Sequence, residues 1–187
     1  STYNTALGYY SGNAITTGTQ NTLIGGLAGD ALTTANNNVA VGYSALSADL
    51  KGDRNTAIGT ETLAAQQFGT ATNSYNTAVG YHAGNDVTTG IQNTLIGGLA
   101  GDALTDADSN VAIGMQALGS DTLGSTSIAI GQGALYTQNF TTATNTYNIA
   151  IGHSAGNLIT TGVNNTLIGG LAGDALTTGS DNTVLGK

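Results

Sequence analysis

The sequence predicts an all-β fold, a parallel β-roll or β-solenoid of about eleven coils, and three observations carry that expectation. A five-residue motif, in most copies Asn followed by three apolar or Thr residues and then Gly, recurs along the whole chain. The copies keep a fixed spacing. Their residues are strand formers. Self-similarity at a fixed period marks stacked-repeat architectures and outranks a residue-by-residue reading.

The motif glycines are Gly8, Gly25, Gly42, Gly59, Gly80, Gly97, Gly114, Gly131, Gly152, Gly169 and Gly186, so successive copies stand 17, 17, 17 and 21 residues apart, and the order repeats with a superperiod of 72. One repetitive segment, 1–187, therefore divides into superunits 4–75, 76–147 and a shorter 148–187. The stretch "NTLIGGLAGDALT" returns unchanged at 21–33, 93–105 and 165–177 because it is the second coil of each superunit. Seventeen residues are too few for a helix pair and suit one turn of a solenoid.

Within each coil, segments such as "NVAVG" (38–42) and "NTAIG" (55–59) supply the strand. The residue before Gly is always a branched aliphatic, as in Ile24, Val41, Ile58 and Ile96, and Thr, Val or Ile stands two places earlier. Such side chains pack well on a pleated surface. A second apolar position, about seven residues after the Gly, holds Ile15, Leu32, Val87, Leu104, Ile159 and Leu176 and predicts a return strand. "TTG" stretches at 16–18, 88–90 and 160–162 are turn chemistry. Parallel coils stack about 4.8 Å apart, so eleven make a rod of roughly 50 Å. Stacking also places Asn over Asn: Asn4, Asn21, Asn38, Asn55, Asn76, Asn93, Asn110, then Ser127, then Asn148, Asn165 and Asn182. A structural amide ladder is the expected role of this series.

Side chains alternate faces along a strand. In "NTAIG" Thr and Ile share one face and Ala takes the other, yet the central column, Ala6, Leu23, Ala40, Ala57 and so on, is apolar too. A strand apolar on both faces is covered on both. One face lines the coil interior, and the other, assigned to the small central residues, needs a partner. Leu at the centre also coincides with a Gly just after the motif, in "IGGLAG", which reads as volume compensation. A symmetric homo-oligomer about the rod axis follows.

Tandem "N-x-A-[IV]-G-x-x-A" units, as in "NTAVGYHAG" (76–84), "NVAIGMQAL" (110–118) and "NIAIGHSAG" (148–156), resemble the head repeats of trimeric autotransporter adhesins, and equally the related repeats of phage tail fibres and fibre-like bacterial surface proteins. The resemblance implies a left-handed roll assembled as a homotrimer, on a cell surface or a virion tail fibre, serving attachment. The period of 17 or 21 is longer than the adhesin unit, which favours the tail-fibre branch.

Composition narrows the function classes. Only 7% of residues are charged, with 3 basic against 11 acidic, so no basic patch can be assembled for nucleic acid or an anionic membrane. No apolar run reaches the ~20 residues of a spanning helix. Zero Cys removes disulfides and thiolate sites. The absence of an initiating Met and of a signal-like start reads as a segment of a longer protein.

Enzymatic chemistry needs convergent titratable groups. His82 and His153 fall at different repeat positions, each without a motif-spaced carboxylate, and read as surface substitutions. "GGLAGD" lacks the endings of a phosphate loop or a calcium coil, so Asp30, Asp102 and Asp174 are expected to hydrogen-bond their own turns. "DADS" (106–109) reads as solvated loop. No enzyme, cofactor or metal is expected. The 21-residue coils carry their extra residues in "AAQQFGTATNSY" (64–75) and "LYTQNFTTATNTY" (135–147), with Phe68 matched to Phe140 and Tyr75 to Tyr147. Aromatics among Gln, Asn, Thr and Gly suit contact with a surface glycan or protein receptor, the alternative being packing over the coil edge. Tyr81, with Tyr9, Tyr10 and Tyr43, is a further exposed-aromatic candidate. Two rival readings are a spacer rod with recognition elsewhere and an ice-binding solenoid. The second requires an unbroken exposed Thr ladder, and Val39, Val111, Ile128 and Ile149 interrupt the column, which favours its burial.

Overall fold

The computed structural model describes residues 2–187 and contains no helix among them. The chain is a parallel β-solenoid of about eleven coils. Every motif forms a three-residue strand, from Thr5–Leu7 through Thr22–Ile24 and Val39–Val41 to Thr183–Leu185, and the eleven strands make one sheet in chain order. Register is like on like. Ala6 pairs with Leu23 across a 17-residue coil, and Ala57 with Ala78 across a 21-residue coil. The four extra residues are looped out, and short ribbons clamp their return: Gly52–Asp53 pairs with Thr72–Asn73, and Gly124–Ser125 with Thr144–Asn145.

The motif glycine is fixed by sterics. At Gly25 φ is +132°, and a Cβ would collide with the carbonyl oxygen of Gly42 in the next coil. Elsewhere the corners are turned by ordinary residues at positive φ, in columns just before the ladder Asn (Gln20, Tyr75, Tyr147) and two or four residues after the Gly (His82, Leu46). Such residues tolerate the strain of roughly 1–3 kcal/mol because stacked neighbours fix them on both sides.

The return strand is absent. Around Leu32, Val87, Leu104 and Ile159 the chain forms tight turns, in which the N–H of Leu32 donates to the Gly29 carbonyl and that of Val87 to the Gly84 carbonyl. Those side chains are nonetheless buried in the coil interior. Most 17-residue coils hold one strand, and a second, two-residue segment forms only where a long coil follows, at Gly52–Asp53 and Gly124–Ser125.

The core is one narrow column of Ala and Leu, with Val87 and Ile159, along the rod, and the two faces of the strand are the reverse of the sequence expectation. The central column (Leu23, Ala40, Ala57, Ala78, Leu95, Ala112) is fully buried inside the coil, so it does not need a partner. The Ile before each Gly and the Thr two places earlier point outward, half-buried or exposed. Ile58 and Ile96 are each 38% exposed. Volume compensation exists, but its glycine is Gly29 rather than Gly26: a Cβ on Gly29 would stand 2.9 Å from Leu23 Cδ2. Gly26 lies at the surface, under the ring of Tyr43.

The interior also explains the superperiod. The first two coils of each unit have Gly four residues after the motif and an aliphatic seven after, as at Gly84 with Val87 and Gly101 with Leu104. The next two have buried Leu at the fourth place and buried Asp or Gln at the seventh: Leu118 with Asp121, Leu135 with Gln138. Where Leu fills the axis, the seventh position turns polar.

Candidate functional site

Three constellations carry the polar and aromatic chemistry of the rod. The first is the Asn ladder. Asn21, Asn38, Asn93, Asn110 and Asn165 are buried, and each amide nitrogen donates to a carbonyl fourteen residues on in its own coil, such as Asn93 Nδ2 to Ala107 O at 2.8 Å. Each Oδ1 accepts the backbone N–H of the ladder residue in the following coil, as Asn93 Oδ1 does from Asn110 at 3.0 Å. The ladder therefore closes the coil and joins it to the next, with direct amide-to-amide contact confined to places such as Asn165 Nδ2 to Asn148 Oδ1. Asn55 and Ser127 open the two long coils. Asn55 Nδ2 is buried without a hydrogen-bond partner. Ser127 has no such nitrogen to satisfy; its hydroxyl pairs with Thr146 Oγ1 at 2.6 Å and accepts from Gln138 Nε2. A second ladder, unread in the sequence, runs two residues before the first: Asn36, Asp53, Asp108, Ser125 and Ser180 each cap a backbone N–H of the preceding coil. "DADS" is a loop with Asp106 and Ser109 exposed, as expected, and it also bonds to the preceding coil. Asp108 Oδ1 accepts from Ile91 N at 2.7 Å, and Asp106 from the Thr89 hydroxyl.

The second constellation lies under the two insertions. Asp49 is fully buried; its Oδ1 accepts the N–H groups of Gly52 and Phe68, and its Oδ2 accepts Gln66 Nε2 at 2.7 Å. Gln66 in turn accepts from Asn76. Asp121, Gly124, Gln138, Phe140 and Asn148 repeat the arrangement. A Cβ at Gly52 or Gly124 would strike the carboxylate, which accounts for both glycines. Phe68 and Phe140 are 6% and 7% exposed, so their rings close the base of the insertion instead of facing solvent. The network was hidden because a lone Asp and a lone Gln seventeen residues apart carry no signal until the period is applied to them.

The third constellation is the exposed aromatics. Tyr75 and Tyr147 are exposed, but they belong to the positive-φ column before the ladder and not to the insertion itself. The Arg54 guanidinium sits 5.6 Å from the Tyr75 ring centroid and contacts Asn73. Tyr81 stacks on His82 with centroids 4.0 Å apart. His82 does have a carboxylate partner: Glu61, one coil below, reaches its Nε2 at 2.5 Å. The 21-residue spacing concealed that pair.

Asp30 and Asp102 do not settle fully into their own turns. Burial raises both carboxyls above the ordinary 3.8, and backbone N–H groups oppose the shift. Asp86 adds repulsion at Asp102. Asp30 Oδ1 is buried with no hydrogen-bond partner. No pocket and no cluster of metal-ligating side chains forms among the described residues. Comparison with protein-family models, with curated proteins and with solved structures returned no match.

Proposed function

We propose that this chain is a rod segment of a homotrimeric extracellular fibre, a tail fibre or surface adhesin, that serves attachment. The reading draws on the adhesin-like repeat and is carried by one structural observation: the outward strand face. Its aliphatic column runs from Leu7 through Ile24, Ile58, Ile96, Ile151 and Ile168 to Leu185, and each of these stays more than a third exposed in the single chain. A contiguous apolar strip of this kind on a protein surface marks an interaction site. A sheet face repeating every coil matches the same face on a sister chain, so three copies around a common axis, each a left-handed roll, would cover it. Three copies of every surface site would then act together, and avidity supplies strength that one site lacks. No catalytic role is assigned.

The chain has no Cys, so single-cysteine cross-linking reads the assembly cleanly. Ile96→Cys should form inter-chain disulfides on mild oxidation, and Thr142→Cys, on the insertion, should not. Equal reactivity at both positions would overturn the trimer. One observation favours a second reading, an ice-binding solenoid. The Thr column (Thr22, Thr56, Thr77, Thr94, Thr166) points outward and is half-buried, so its interruptions do not imply burial inside the coil, and the Thr and Ile columns share the outward face of the single chain. Thermal hysteresis from a chain that stays monomeric would select it.

A further inference from the structure

The residue just after the motif Gly alternates between Tyr and a smaller residue through the first six coils, and the alternation lapses at Gln132. Odd coils carry Tyr9, Tyr43, Tyr81, Met115 and His153, with Lys187 after the last motif, and even coils carry Gly26, Thr60, Gly98, Gln132 and Gly170. Tyr9, Tyr43, Tyr81, Met115 and His153 are all exposed. With coils about 4.8 Å apart, the large side chains recur every ~10 Å along one edge of the rod. The three rings are 74%, 53% and 59% exposed, yet none stands free. Tyr9 leans on Tyr10 at 4.4 Å between centroids, Tyr81 stacks on His82, and Tyr43 lies over Gly26, where a Cβ would be 3.5 Å from its Cδ2. Each is supported on one side and open on the other. Supported Tyr rings lose little freedom on binding and offer an apolar face with a polar edge.

We propose that this row binds a neutral, extended β-1,4-linked polysaccharide laid parallel to the rod. Successive sugars in such a chain are turned over, so the same ring face recurs every second unit, over about the same length as two coils. Each tyrosine can therefore stack under an equivalent sugar without bending the ligand. Charge selects neutrality. The chain carries a net charge of −8, and Glu61 stands beside the row next to His82, so a uronic or sulfated polymer would be repelled. A curved α-linked polymer would leave the line of rings after one contact. The proposal deepens the attachment reading by naming its ligand class, and it can fail separately. A trimer that ignores glycans sinks only this proposal, and a monomer that binds them sinks only the assembly.

The test is titration of the intact chain with cellohexaose and chitohexaose, with maltohexaose as the curved control. Saturable binding of a β-1,4 hexamer and none of maltohexaose is expected. Tyr43→Ala and Tyr81→Ala should each weaken it about tenfold, roughly one stacked ring's worth. The paired exchange Tyr43→Thr with Thr60→Tyr keeps the number of rings but moves one off the two-coil spacing, and it should bind as poorly as Tyr43→Ala. Tyr43→Phe keeps the stacking face and should bind nearly as the parent does, which separates lost stacking from lost folding. No binding of either β-1,4 hexamer, equal binding of maltohexaose, or undiminished binding by the exchanged variant would overturn the proposal.

Discussion

Among the described residues, Asn55 is the ladder asparagine whose amide nitrogen is buried without a partner, and the matching coil of the next superunit carries Ser127. Ladder positions should therefore differ sharply in sensitivity. Asn93→Ala would leave the Ala107 carbonyl and the Asn110 N–H unmet, each costing about 1–3 kcal/mol when buried. Asn55→Ser combined with Ser74→Thr reproduces the Ser127–Thr146 pair and should stay within about 1 kcal/mol of the parent. Urea unfolding of the two variants measures the contrast, and equal losses would remove the proposed role of the carbonyl. Asp102 gives a pH test. Its folded carboxyl holds a proton more tightly than the unfolded chain does, so the ionised form costs stability at neutral pH, and the cost fades as pH falls through the raised value toward 3.8 and below. Asp102→Asn should therefore melt above the parent at pH 7, by an amount limited by the water still reaching the carboxyl, and the gap should close below about pH 4. A gap that widens on acidification contradicts this. The Asn series was legible in the sequence because identical residues recur at one period. Asp49 and Gln66 were not, since their partnership exists only across coils and between unlike residues.

At the scale of the element, strand positions follow directly from the motif, whereas the return strand expected at Leu32 and Leu104 does not form. An apolar residue at a fixed offset marks burial, and burial in a turn looks the same in sequence as burial in a strand. The same limit reversed the two strand faces: both are apolar, and the coil closes around the central residue whether it is Ala40 or Leu23. Packing between elements can be tested at Gly29. Gly29→Ala should cost about 1–3 kcal/mol by crowding Leu23 and Leu32. Leu23→Ala alone should cost about 2–5 kcal/mol through the void it leaves. Contact between the sites makes the double variant lose less than the two together, and strict additivity would show that the glycine serves some other need. Coils interact mainly with their neighbours, so stability should scale with coil number. Deleting 76–147 joins Tyr75 to Asn148, a junction identical in kind to Tyr147–Asn148, and should give a folded rod shorter by four coils. Deleting 76–148 removes the ladder Asn and breaks register. Circular dichroism melts of the two deletions distinguish them, and equal cooperativity would argue against stacking in register.

At the scale of the whole molecule, the fold class and the number of coils were legible because a solenoid repeats its instructions. The proposed assembly is argued less directly, from a surface that the single chain leaves uncovered. The outward Ile column, with Ile58 and Ile96 each more than a third exposed, is the surface that the proposed assembly would cover. Its completion by sister chains is the claim on which the fibre reading depends. Ile58→Asp with Ile96→Asp would place two carboxylates on that strip while leaving the buried central column intact, and should dissociate the assembly without unfolding the coil. The most direct measurement is the solution mass of the parent chain by light scattering across a dilution series. A particle of three times 18.5 kDa that persists on dilution is the expected result. A particle of 18.5 kDa at every concentration would contradict it.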